Sequence, residues 1–229
     1  MTPARHALRT LSTVLIISGV LMLTDAGLTL IWQEPVSAVY ASIVQSGLGG
    51  DLRKLELAEP SSLDLAALRK LATEKRRMAF LARKLRADTD RGAAVGRVKI
   101  KKIKANFVLV NGTDAASLRK GPGIYDEVPF PGAPGTTAIA GHRTTYRAPF
   151  RKINRLERGD EVVVEMPYGI FTYEIEKTRI VKPTALYVIK RVAYDRLVLS
   201  ACHPLYSAAR RFIVFARLVA AQARGAAQI

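Results

Sequence analysis

The stretch Leu197-Val198-Leu199-Ser200-Ala201-Cys202-His203-Pro204 decides the reading of this 229-residue chain. A short apolar run of this kind reads as a buried strand rather than a helix. Pro204 stops it, because proline has no N–H to give to a ladder. The strand therefore ends on a cysteine, at the rim of a sheet and not in its middle. Working outward, residues 98–103, 107–110, 137–140, 161–166 and 170–176 before it, and 211–219 after it, also read as strands. Between them lie turn clusters such as Asn111-Gly112, Gly121-Pro122-Gly123, Arg158-Gly159-Asp160 and Tyr168-Gly169. No alternation of strand and helix appears. Residues 93–221 are thus expected to form a mainly β domain with short helices, and closure into a barrel would remove its exposed edges.

Upstream the composition changes. Residues 11–32 are apolar enough for a helix of about 30 Å, the thickness of a bilayer core. Ser12, Thr13, Ser18, Thr24 and Thr29 can bond back to their own helix, Asp25 is a cost, and Trp32 sits where an interfacial aromatic belongs. Arg5 and Arg9 precede the span, while the first basic residue after it is Arg53. The positive-inside rule then puts residues 1–10 in the cytoplasm and everything after the span outside. The rival reading is a cleaved signal peptide with its apolar region at 14–23 and cleavage near Thr24-Asp25-Ala26. Next, Pro35 is expected to break the helix and Gly47-Leu48-Gly49-Gly50 to form a flexible break. Leu68, Leu71, Met78, Ala82 and Leu85 recur at helical spacing, predicting one amphipathic helix from Leu63 to about Arg86. Residues 33–92 thus read as an extracellular linker with a basic amphipathic helical arm, and 222–229 as a C-terminal tail.

Charge follows the same division. The chain has 36 Lys and Arg against 19 Asp and Glu, a net charge of +17. Fourteen of those bases lie between Asp64 and Lys104, against four acids. A nucleic-acid surface would interleave bases with aromatics, and Phe80 is the sole aromatic there. No nucleic-acid partner is expected; a basic helix facing an anionic membrane or wall polymer is.

Three residues carry candidate chemistry. Cys202 ends one strand, His142 follows another in Ala140-Gly141-His142-Arg143, and Arg211 opens a third. A thiolate attacks carbonyl carbon, a nearby imidazolium lowers the thiol pKa and can later protonate a leaving amine, and a guanidinium donates to an oxyanion. Taken singly, each has a bland reading as core thiol, satisfied imidazole or surface cation. A papain-like enzyme has its cysteine before its histidine, the reverse of the order here. A phosphatase loop needs arginine at position 208, which is alanine. With one cysteine there is no intramolecular disulfide and no Cys-rich zinc site, and His142, Cys202 and His203 lack a fourth ligand. No cofactor or metal is expected.

Gly121-Pro122-Gly123-Ile124-Tyr125, Pro131-Gly132, Ile139-Ala140-Gly141-His142-Arg143, the stretch 197–204 and Arg210-Arg211-Phe212-Ile213-Val214-Phe215-Ala216 together resemble the sortases in order and spacing. The likeness runs over about 125 residues, roughly 95–219. The run 141–150 and the Cys-His-Pro look like class E, the actinobacterial housekeeping-type group. The resemblance implies a closed eight-stranded sortase β-barrel, His142 as general acid/base, Cys202 as nucleophile and Arg211 as the transition-state arginine. It implies a membrane-anchored extracellular cysteine transpeptidase that cleaves a Leu-x-x-Thr-Gly-type sorting signal between Thr and Gly. The acyl group would pass to an amine of a cell-wall precursor or to a pilin lysine. The alternative is a catalytically impaired barrel that binds peptide or wall polymer. One departure stands out: Ala201 occupies the place where sortases usually carry threonine before the cysteine.

Overall fold

The structure is a computed structural model that describes residues 3–31 and 35–229. Its centre is a closed barrel of eight strands: β1 (Ala94–Ile100), β2 (Ala105–Asn111), β3 (Gly123–Ile124), β4 (Thr136–Ala140), β5 (Glu161–Met166), β6 (Gly169–Val181), β7 (Arg196–His203) and β8 (Arg210–Ala223). Around the barrel they run β1-β2-β3-β4-β7-β8-β6-β5. Most pairs are antiparallel, but β2–β3 and β4–β7 are parallel. Phe130, Phe150, Phe171, Ile139, Ile175 and Leu197 are among the largest side chains wholly buried in the core.

Two elements depart from the sequence expectation. The first strand was expected at 98–103, but β1 begins at Ala94 and residues Lys101–Ile103 form a 3-10 turn. Lys104 closes that turn in the left-handed region, at φ 55°, which reverses the chain into β2. The two-residue β3 lies inside what reads as a turn cluster. Gly123 is required there, because a Cβ would collide with the carbonyl oxygen of Gly112 on the adjoining segment. At the other end of the chain, β8 extends to Ala223 and Ala227 beyond it is fully buried.

The apolar N-terminal segment forms α1 (Pro3–Ile31). Its window Arg5–Leu28 has a mean hydropathy of 1.8 and is nowhere buried against the rest of the chain, so it is long and apolar enough to cross a bilayer. Trp32, expected as the interfacial aromatic, lies outside the described residues.

The arm is built differently from the expectation. No break occurs at Gly47–Gly50: α2 (Pro35–Leu57) runs straight through it. Glycine costs a helix about 1 kcal/mol per residue, yet Leu48 and Leu52 bury against Ala94, Val108 and Val110 of β1 and β2. Burial of one such leucine stabilises by about 1.5–3 kcal/mol, so the two together offset the cost of Gly47, Gly49 and Gly50. The amphipathic segment is also two helices, α3 (Ser62–Arg69) and α4 (Glu74–Asp88). Thr73 caps the second by accepting a bond from Arg76 N, which restarts the helix after the turn. Neither is a solvated stalk. Leu68 is fully buried, and Met78 and Ala82 belong to the barrel core. Even basic side chains dock: Arg77 donates to the Ala227 carbonyl at 2.8 Å, and Arg86 to Asn111 Oδ1 at 2.7 Å and Tyr125 O at 2.9 Å.

A short β3 leaves part of the β2 edge without a strand partner, and α2 covers it. The side chain of Gln45 accepts from Val108 N at 2.8 Å and donates to Val108 O at 3.1 Å and Lys120 O at 2.8 Å. One amide stands in for a strand neighbour. Gln45→Ala should therefore cost about 1–3 kcal/mol, the penalty for buried backbone groups left unpaired. Denaturant unfolding measures it, and an unchanged midpoint would contradict the role. A chain cut to begin at Gly92 loses α2 to α4 and should melt well below the full protein.

Candidate active site at the rim of the barrel

The three expected residues converge because their strands are neighbours. In the β4–β7 pair, Ile139 lies opposite Leu199 and Ala140 opposite Ser200. Gly141 N donates to Ser200 O at 3.0 Å, which carries the ladder one step past the end of β4. His142 is thereby delivered beside Cys202. Gly141 admits no side chain, since a Cβ would sit 2.6 Å from the ring of Phe150. In the β7–β8 pair, Cys202 lies directly opposite Arg211. Thiol, imidazole and guanidinium thus share one rim, and each is half-buried.

His142 packs against Tyr146, with ring centroids 5.1 Å apart. Burial holds its pKa below the usual imidazole value, so the neutral ring is favoured in the resting site. Tyr146, Arg147 and Ala148 all adopt left-handed backbone, at φ 52°, 61° and 41°. Three consecutive non-glycine residues in that region store strain that the surroundings must hold. Part of the restraint comes from α2, where Ser37 Oγ accepts from Tyr146 N at 3.0 Å and the Tyr40 ring lies edge-on to Tyr146 at 6.3 Å.

Arg211 donates twice from Nη1, to Ala208 O at 2.9 Å and Arg210 O at 3.1 Å, which holds its guanidinium at the start of β8. Arg210, opposite His203, is exposed. The His203 ring lies 6.0 Å from that of Phe212 and points away from the thiol's side of the strand. Beside Arg211 a narrow cleft opens, lined by Tyr125, Pro183, Leu186, Ile189, Ser200 and Ile213 among others. Ser200 and Arg211, the strand neighbours of Cys202 on β7 and β8, both line it. A larger cleft between Leu55, Pro60, Leu81 and Tyr168 contains none of the three residues.

Three residues here escaped the sequence reading. Ala201 drew attention for its missing hydroxyl, but its side chain is in the core, 3% exposed. The hydroxyl residue at the cleft is Ser200, and period-two alternation with Cys202 was the signal for it. Tyr146 had no local signal. Arg143, next to His142, turns inward and donates from Nη1 to the Cys202 carbonyl at 3.1 Å.

Comparison with known proteins agrees with this geometry. The Sortase domain profile matches residues 98–219. Sortase D of Bacillus subtilis is 37% identical over 132 residues, covering 56% of this chain and 65% of its own length. Sortase SrtE1 of Streptomyces coelicolor is 32% identical over 94 residues, 37% of this chain and 27% of the relative. The chain therefore spans just under two thirds of the first of these relatives and about a quarter of the second. The solved structure of sortase E from Streptomyces avermitilis superposes with a TM-score of 0.54 at 32% identity, over 59% of this chain and 93% of that one. With the profile covering more than half of its residues, and with thiol, imidazole and guanidinium on one barrel rim, the chain belongs to the sortase family.

Proposed function

We propose that the protein is a membrane-tethered cysteine transpeptidase that cleaves a Leu-x-x-Thr-Gly-type sorting signal between Thr and Gly and joins the new acyl end to an amine. The observation that carries this reading is the β4-β7-β8 register, which sets Cys202 opposite Arg211 and beside His142. Residues 1–10 lie in the cytoplasm, 11–32 anchor the chain, and the barrel works outside the cell on surface proteins bearing the signal. Arg5 and Arg9 on the cytoplasmic side support that orientation. The class E assignment rests on the run 141–150 and on the likeness to Streptomyces sortases.

The reaction follows from the three groups. Neutral His142, the form that burial favours, takes the thiol proton. Cys202 Sγ attacks the threonine carbonyl carbon, and the C=O electron pair moves onto oxygen. Arg211 donates hydrogen bonds to that oxyanion, with a planar fork that a lysine lacks. The intermediate collapses, the C–N bond breaks, and the leaving glycine amine takes the proton from His142. A thioester remains. An acceptor amine of a cell-wall precursor or pilin then attacks it, gives its proton back to His142 and expels the Cys202 thiolate, forming a new amide.

Mass spectrometry of the protein incubated with sorting-signal peptides tests the whole reading, because an acyl adduct on Cys202 is expected. A protein that binds the peptide without forming an adduct would favour the alternative, a peptide-binding barrel. Cys202→Ala should stay folded and lose all cleavage. Arg211→Ala should lose about 10²–10³ in kcat, the usual cost of one oxyanion donor, and Arg211→Lys should recover only part. Arg210→Ala is the control, and should remain within about threefold of the parent because its side chain is on the other face.

The imidazole makes a separate prediction. In Cys202→Ala, NMR should place the His142 titration below the ~6.5 of an unperturbed imidazole. Its pKa is lower folded than unfolded, so the unfolded chain binds the proton first. Folding stability from this group is therefore complete above the usual imidazole range and is lost as pH falls through it. A titration at or above the unperturbed value would contradict the burial argument.

A further inference from the structure

Arg143 is 4% exposed, among the few buried charged residues described. Beyond its bond to the Cys202 carbonyl, Nη1 lies 3.4 Å from His203 Nδ1. Nη2 donates to Asn154 Oδ1 at 2.8 Å and reaches Arg151 O at 3.4 Å. Nε has no partner among the described residues. None of these contacts is to a carboxylate, and no described carboxylate lies within ion-pair distance of it. Buried cations are ordinarily neutralised by an anion, because desolvation without a counter-ion is costly. Burial accordingly pushes the guanidinium pKa down, while negative charge on Cys202 pushes it back up. The guanidinium thus sits against the backbone of the residue that carries the thiol, with no carboxylate of the described residues to neutralise it. The charged or titratable groups around Arg143 are Arg151 and His203, and those at the thiol's rim are His142 and Arg211, none of them acidic.

We propose that Arg143 is a positioning residue for the nucleophile. It clamps the backbone of Cys202 to the loop that carries His142, and its uncompensated charge stabilises the Cys202 thiolate from inside the barrel wall. This deepens the transpeptidase reading and rests on Cys202 being the nucleophile. Arg211 and Arg143 then divide the work: one cation serves the substrate oxygen, the other the sulfur.

Cys202 is the only thiol, so alkylation of the full chain by iodoacetamide, followed across pH by mass spectrometry, reports its ionisation without any substrate. Arg143→Gln should raise the alkylation midpoint by about one pH unit, the scale of a nearby charge lost. It should also lower kcat by about 10–100-fold with KM within about threefold, the pattern of a group that acts through the reacting atoms. Arg143→Lys should restore the midpoint more than the rate, because it keeps the charge and loses the fork. Asn154→Asp guards against misfolding. It is nearly isosteric, keeps the Nη2 bond and neutralises the guanidinium, so it should raise the midpoint as well. An Asn154→Asp protein with the parent midpoint and the parent kcat would overturn the proposal, as would a folded Arg143→Gln protein unchanged in both. The two readings fail separately: normal acylation by peptide with an unmoved midpoint sinks the role of Arg143 alone, whereas a shifted midpoint with no acylation in the parent protein sinks the transpeptidase reading and leaves the Arg143–thiolate coupling standing.

Discussion

The chemistry of this protein hangs on the register of β7 between its two neighbours. Leu197, Val198 and Leu199 are all fully buried, so the strand has core on both of its faces. A slip of one residue would exchange those faces and turn half-buried Cys202 to the face that Leu199 and Ala201 bury in the core. With the slip forbidden, two pairings follow. Ala140 meets Ser200, which delivers His142 to the sulfur, and Cys202 meets Arg211. The imidazole and guanidinium come from sequence positions 60 and 9 residues away from the cysteine, yet no loop has to be ordered to bring their backbones together. The parallel β4–β7 pair is the decisive part, because only parallel pairing ends both strands at the same rim.

What the register places, the surrounding shell holds. The loop after His142 contains three left-handed residues in a row, an arrangement that short-range forces disfavour. It persists because Ser37 and Tyr40 of α2 grip Tyr146, while Phe150 N bonds the His142 carbonyl at 3.0 Å. The same helix caps the edge of β2 through Gln45. The segment leading from the apolar helix is therefore part of the folded unit, and a mechanical link runs from it to the imidazole. Arg77 and Arg86 make the same point for α4, spending two of the arm's many cations on internal carbonyls.

Among the described residues no carboxylate pairs with Arg143, which bonds the Cys202 carbonyl and Asn154, while Cys202 lies opposite Arg211. Desolvation lowers the His142 pKa and so favours its neutral ring. In the proposed reaction, negative charge on sulfur or on a substrate oxygen would be met by guanidinium groups, which stay protonated at any physiological pH. This suits a reaction whose intermediates are anionic and whose resting state is neutral.

Much of this was legible in the sequence. The strand ending at Cys202, the strand before His142 and the run after Arg211 are local patterns of side-chain polarity, and local pattern suffices to place a residue at a strand end. The apolar span of α1 is equally local. Other features were decided by tertiary contacts. Gly47–Gly50 reads as a break, and is helix because Leu48 and Leu52 have a sheet to pack on. Gly123–Ile124 reads as turn, and is strand because β2 and β4 flank it. The regular helical spacing of 63–86 conceals a turn that only the cap at Thr73 reveals. Arg143 reads as one more surface cation, since nothing in its sequence neighbours says that it turns inward to the Cys202 carbonyl, 59 residues away. Sequence determined which residues could do the chemistry, because reactivity resides in the side chain itself. Only the closed barrel decided their mutual placement and charge state, because pairing, burial and desolvation depend on neighbours that are distant along the chain.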